Sequence, residues 1–573
     1  MGSELGVNAN SKAELSLTPV SIWWVCWTCV WTTVIAIGMV YLIIHRNSTP
    51  LRLRGIGLSL SAVILLHLYW ISVQLGLLVG SLAPGDAEFW IMGTLLPCGI
   101  ALFHASNSRF VHVANLQKRY TRPNSRLVGL PYGNTAFEPK GGKGLIDRFR
   151  RLDYTTKSLI TVGFAMLLQI FLTASMYIIS RKWHSSWGIP GTEVTGTAME
   201  QKSEMGRGWE WWPGVFWQFF WSWIVAPIIL WKSREIHDTQ GWRVQTIGCA
   251  VASLHATPLW LIALYVPAME VVNNYWLPAQ WICLSIVFIE IFTVLLPCWE
   301  VFRHQSLHQE TLDLIAEWES KQKSAPETKS LKSATATVES MMSGSVKTDV
   351  SDESVMSMPA LEHVLDRDPA SLQNFSALHD FSGENIAFLT SVAQWKSSLQ
   401  DASDVEDEED LKEMLQERYN SALSIYVEFV SPHAEFPINL CFQELSKLEN
   451  IFEEPARIIY GDEPEMNAIA PFNIPSFSRL PSAMSSDGSE KDIHVTASVL
   501  RDRVWYWGDV PEEFVACGLG ANVFDEAVKA VKYLVLTNTW PRFVRSRSNT
   551  CRLPGTTAGS GFDVELARAQ HVN

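Results

Sequence analysis

Seven apolar stretches occupy the chain up to about Trp299, and each is long enough to cross a lipid bilayer. They cover about Ser21–Ile44, Gly57–Leu82, Phe89–Ala105, Ser158–Ser180, Trp211–Trp231, Gln245–Met269 and Ala279–Trp299. Crossing about 30 Å of hydrocarbon takes roughly 20 residues as a helix. Every backbone polar group there must be bonded internally, and continuous apolar runs satisfy this only as helices. The sequence therefore predicts a seven-helix transmembrane bundle over 21–300, preceded by an extracellular tail over 1–20. The first run is too long for a cleavable leader, lacks a basic start and is followed by no small-residue cleavage site.

Loop charge sets the expected orientation. The first loop holds Arg46, Arg52 and Arg54. The third is densely basic from Arg109 to Lys157, and the fifth adds Lys232, Arg234 and Arg243. The second loop offers only Asp86 and Glu88, the sixth only Glu270, and the fourth balances Arg181, Lys182, Lys202 and Arg207 against four glutamates. The amino terminus is expected outside and the carboxyl terminus in the cytosol, with the plasma membrane as the expected location. The bilayer is then the first partner.

Within the spans, Glu290 is the one acidic residue placed well inside. A buried carboxylate is costly in lipid and marks either a relay or an interhelical bond. His67, His104 and His255 admit the same two readings. The tryptophans around Trp209, Trp211 and Trp212 fit an interfacial belt. The seven-span layout is that of a G-protein-coupled receptor, but Asn107-Ser108-Arg109-Phe110 stands where such receptors carry an acidic-Arg-Tyr triplet, and span seven lacks Asn-Pro-x-x-Tyr. The nine cysteines are scattered, mostly in apolar runs where a thiol behaves as a small hydrophobe. No metal site is expected of Cys26 and Cys29. A net charge of −14 argues against a nucleic-acid partner.

Beyond span seven, Leu312, Ile315 and Trp318 continue at helical spacing, so 301–355 reads as a helical extension followed by a Ser/Thr/Lys-rich tether from about Ser324. Helical patterns return near Met358. Ser371 reads as an N-cap before Leu372, Phe375 and Leu378. Ser382 reads as another, before Ile386, Leu389, Val392 and Trp395. After an acidic run over 401–410, Leu411, Met414, Leu415, Ala422, Ile425, Tyr426 and Phe429 form a stripe, and a last helix carries Phe524, Ala527, Val531, Leu534 and Val535. An all-α bundle is expected, with a Pro/Ser/Gly-rich insertion near 471–492 and a tail over 551–573.

The order of these blocks adds more. Leu361-Glu362-His363-Val364-Leu365, Phe375-Ser376-Ala377-Leu378 and Phe381-Ser382-Gly383-Glu384-Asn385-Ile386-Ala387-Phe388 resemble the opening of a regulator-of-G-protein-signalling (RGS) domain. The resemblance continues through Ile425–Val430 and Ile438-Asn439-Leu440, and ends at Phe524-Asp525-Glu526-Ala527 and Trp540–Ser546. It spans 356–550, and the whole layout is similar to the seven-span RGS proteins of fungi and plants. The resemblance implies a GTPase activator that is not itself an enzyme. It implies no catalytic residue, cofactor or metal of its own, because the chemistry stays in a GTP-bound Gα subunit whose switch loops the domain holds in their transition-state shape. Carried over by motif, Phe381, Ser382, Glu384 and Asn385 form one part of the Gα-binding surface. Asn439 reaches the catalytic Gln of Gα, or is merely a turn or cap residue, and Leu534, Asn538 and Arg542 complete the surface. Asn538 departs from the family, which mostly carries Asp there, and the long stretch between Asn439 and Phe524 is a second departure. Two other functions stay open: a sensor whose spans take an external ligand, and a scaffold that binds G-protein components without accelerating hydrolysis.

Overall fold

The computed structural model describes residues 7, 12–121, 154–184, 186–324, 355–399, 408–432, 434, 436–460 and 519–551. Among them the regular structure is helical, with one isolated bridge between Ser180 and Ile189 and no strand. The expected tether, the insertion near 471–492 and the tail after Cys551 lie outside the described residues, as does most of the acidic run, whose last residues open a helix.

Among the described residues, seven helices are long and apolar enough to cross a membrane. The first, α1 (Pro19–Ile44), starts at a capping box: the Thr18 and Ser21 side chains accept from each other's backbone N–H at 3.2 and 3.0 Å. Pro19 sits at the first position, where its missing N–H costs nothing. α2 covers Ile56–Gln74, α3 Ala87–Gln117 and α4 Tyr154–Ile179. α5 joins Trp212–Phe219, a π turn at Phe220–Val225 and Ala226–Ser233; α6 joins Trp242–Leu254 and Ala256–Tyr265. α7 joins Gln280–Glu290, a π turn at Ile291–Leu295 and Leu296–Ser324. Ile22, Val30, Ile37 and Ile44 line one outward face of α1, at least half exposed. Such a stripe suits a lipid surface, not water.

Two span boundaries differ from the sequence expectation. α2 stops at Gln74, and Gly76–Val79 forms a separate turn, because Gly76 weakens the helix where the apolar run continues. α3 runs past Ala105 to Gln117, since Phe110, Val113, Ala114 and Gln117 recur at spacings of three, one and three and are covered by the rest of the protein. Polar residues that look like the exit of a span, Asn107 among them, are simply buried in a longer helix.

The C-terminal unit contains α8 (Met358–Arg367), α9 (Pro369–Phe375), α10 (Gly383–Ser397), α11 (Glu408–Ile425), α12 (Phe442–Tyr460), α13 (Asp525–Thr537) and α14 (Thr539–Cys551). α9 begins at Asp368 with Pro369 at its first position, so Ser371 lies inside the helix and its hydroxyl donates to Asp368. The cap falls earlier than expected because Pro fixes the helical φ of the first residue. Ile386, Leu389, Val392 and Trp395 are buried, and Phe388, Phe429, Phe452, Phe524 and Trp540 fill the centre. Phe452 and Phe524 stack 5.7 Å apart, and the Trp540 indole donates to the Val355 carbonyl at 2.8 Å. From α7, Leu314 and Ile315 pack on this core, and Glu310 pairs with Arg545. One continuous helix thus belongs to both units; the Trp318 side chain lies outside the described residues.

Candidate functional site

The motif around Phe381 sits where α9 gives way to α10. A π turn at Ser376–Asp380 ends in Phe381, whose φ of +53° is the only positive value at a non-glycine among the described residues. A left-handed phenylalanine costs about 1–2 kcal/mol and persists only where its surroundings enforce it. Here the ring is enclosed with Leu53, Phe110, Val113, Ala114, Ile236 and Trp242, all from the seven-helix bundle.

Asp380 is the hub beside it. Its carboxylate pairs with Arg542, and accepts from the Ser382 and Thr539 hydroxyls at 2.9 and 2.8 Å. Burial opposes its ionisation, but the Arg542 guanidinium and those hydroxyls outweigh burial and hold its pKa below the usual range. Arg542 also donates to His304 of α7 at 2.8 Å. Ser382, expected as a cap, precedes α10 but gives its hydroxyl to Asp380 instead of a backbone N–H.

The first turn of α10 is capped by another part of the chain. Gln117, fully buried at the end of α3, accepts from the Gly383 N–H at 3.1 Å and donates to Glu384 at 3.0 Å. A helix N-terminus leaves its first N–H groups unpaired, and a side chain of the bundle takes one of them. Gly383 is required by closeness: an added Cβ would lie 2.9 Å from both the Tyr120 and Ala377 Cβ atoms. The loop before α6 supplies the other contacts. Thr239 N–H donates to the His379 carbonyl at 2.9 Å, the Gln240 side chain to the Asp380 carbonyl at 2.8 Å, and His379 Nδ1 meets the His237 carbonyl at 2.8 Å. That loop is held by Asp238, which accepts from the Trp242 and Arg243 N–H groups at 2.6 and 2.9 Å. It is held as well by Arg54, whose guanidinium donates to the Gln245 side chain at 3.0 Å and to the Gln240 carbonyl.

No family model, curated protein or solved structure matches this chain.

Of the residues named from sequence, Phe381, Ser382, Glu384 and Asn385 lie together and are 1%, 4%, 5% and 7% exposed. Arg542 joins them through Asp380. Leu534 and Asn538 are half-buried near the junction of α13 and α14, with the Asn538 amide donating to the Leu534 carbonyl at 3.0 Å. Asn439 is exposed, two residues after Pro437, whose carbonyl accepts from Arg52 at 3.2 Å. Asp380, Thr539, Gln117 and Gln240 were not singled out in the sequence. The one available signal was an acidic residue directly before the Phe381 motif.

Glu290 is fully buried, and both its oxygens are engaged. The Trp31 indole donates to one at 2.5 Å, and His67 Nδ1 lies 2.7 Å from the other. Thr32 meets His67 Nε2 at 3.1 Å. This joins α1, α2 and α7 near mid-span and favours the interhelical-bond reading over the relay. Glu290→Ala would strand the Trp31 and His67 donors in a medium without water, so a loss of about 1–3 kcal/mol is expected. Thermal unfolding in detergent would read it, and an unchanged midpoint would count against the lock. His104 stacks on Trp221 with ring centroids 5.2 Å apart.

Proposed function

We propose that the chain is a membrane-held regulator of heterotrimeric G proteins, whose C-terminal unit is an RGS domain that accelerates GTP hydrolysis by a Gα subunit. The observation that carries this reading is the joint placement of Phe381, Ser382, Glu384 and Asn385, with Arg542 tied to them through Asp380. Two stretches far apart in sequence meet on an all-helical unit, which supports the RGS reading. The basic loops face the cytosol, where Gα is tethered to the same plasma membrane, so the effective concentration of the pair is high. The domain supplies no reacting group. It fixes the switch loops of Gα, and the Asn439 amide, which can donate and accept at once, orients the water-positioning Gln.

Single-turnover GTP hydrolysis by candidate Gα subunits, with the full chain in lipid nanodiscs, tests this. High Gα concentration is needed, because part of the patch is covered and binding must compete with that cover. Acceleration is expected to fall by roughly ten- to a hundredfold in Asn439→Ala, the range for losing one group that organises a transition state. Absence of both acceleration and binding to Gα carrying a transition-state mimic would sink the reading. Binding without acceleration would favour the scaffold. The contacts of α3, α6 and α7 with the C-terminal unit support a sensor role in addition, in which an external ligand acting on the spans alters the domain.

A further inference from the structure

We infer that the seven-helix bundle is an intramolecular competitor of Gα: its cytosolic end occupies half of the Gα face and holds the domain in a masked state. This rests on the Gα-regulator reading above. Four residues assigned to that face are at most 7% exposed, and for two of them, Phe381 and Glu384, side chains of the bundle make the contact. Phe381 is packed among side chains of the α2 approach, α3 and α6. Glu384 and the Gly383 N–H are both taken by Gln117. The His379 and Asp380 carbonyls are taken by Thr239 and Gln240. A Gα subunit cannot reach these groups while the bundle does. Asn439 stays exposed, so one part of the surface is open and the other closed.

The cover is built to be removable. Its polar contacts are single hydrogen bonds made by a cap and a loop, most of them between neutral groups. The Thr239 hydroxyl on the Asp380 carboxylate and Arg52 on the Pro437 carbonyl are among the charged ones. Each bond is weak in net terms. On the same turn, the Asn385 side-chain oxygen is buried without a donor among the described residues. The two units are also coupled mechanically. α7 passes from the span directly onto the domain, where His304 meets Arg542 and Glu310 meets Arg545. A shift of α7 relative to α3 and α6 therefore changes the fit of the domain on its cover, which gives the spans a way to set GTPase activation.

The test uses the full chain in nanodiscs with two variants altered on the bundle side only. Gln117→Ala with Gln240→Ala removes the polar cover, and Ala114→Trp wedges bulk into the enclosure of Phe381. Two quantities are read: amide exchange at Gly383 and Thr239, which reports docking, and single-turnover GTP hydrolysis at low Gα concentration, which reports access. The expected result is a rise of roughly ten- to a hundredfold in both, relative to wild type. Exchange that is already fast in wild type, with hydrolysis equal in all forms, would overturn the masking and leave the Gα reading intact. Faster exchange in the variants without hydrolysis, and without binding to transition-state-mimic Gα, would show that the uncovered face is not a Gα site, and both readings would fall. Slow exchange in wild type and both variants, with hydrolysis already at full rate, would show that docking does not block Gα and would overturn the masking alone.

Discussion

Arg542→Ala is expected to destabilise the C-terminal unit by about 3–5 kcal/mol at neutral pH, as breaking one side of a buried ion pair does. Asp380 is buried among groups from α9, α10 and α14, and Arg542 is its only cationic partner among the described residues. Without it, the hydroxyls of Ser382, Thr539 and Thr239 remain to hold a full charge away from water. The effect carries a pH signature. In the wild type, the Asp380 pKa is depressed by its partners, so the pair contributes stability above the ordinary value of 3.8 and loses it as the pH falls through the folded value. In the variant, only the hydroxyls oppose burial and the carboxyl neutralises at higher pH, which relieves its orphaned charge. The gap between the two proteins is therefore largest near neutrality and narrows toward pH 4. Denaturation of the full chain at several pH values, followed by exchange in α10 and α14, reads this directly. A gap that does not change with pH would mean that Arg542 acts through packing, its contact with His304 included, and not through charge.

The membrane half was legible because lipid leaves a chain few options. Seven runs of apolar residues led to seven helices, with errors only where a polar stretch was covered by protein, as at Asn107 in α3, or where glycine broke an apolar run, as at Gly76. The helices of the C-terminal unit were legible from their stripes, although Pro369 moved one cap. What the sequence could not show was the encounter of the two halves. Gln117 looks like an ordinary loop residue until Gly383 is placed against it, and Thr239 and Gln240 carry no pattern at all. Such contacts join residues more than a hundred positions apart, and neither periodicity nor spacing encodes them. Glu290 was visible as a costly carboxylate, but its partners Trp31 and His67 were lost among many similar residues in the spans.

Raising the pH from 6 to 8 is expected to loosen the docking of the domain on the bundle by about tenfold, through Glu384. Burial raises the pKa of this carboxyl from 4.5 to about 7; the hydrogen bond from Gln117, its own backbone N–H and the charge of Arg52 act against burial, while Asp380 adds to it. Tyr120 lies against the same spot, with Arg119 beside it. Undocking returns Glu384 to water and to its ordinary value. The docked state therefore binds the extra proton: docking is strongest below about 4.5, weakens as the pH rises, and above about 7 has lost about 3 kcal/mol. The physiological range sits on the upper part of that slope. Exchange at the Gly383 amide, corrected for its intrinsic base catalysis, should follow this curve in the full chain. Glu384→Gln, neutral at every pH and of nearly the same shape, should flatten it and keep the domain docked at pH 8. If the variant keeps the slope of the wild type, another group titrates at the interface and Glu384 is not the sensor. If both are flat, docking is insensitive to this carboxyl, and its burial does not depend on the bundle.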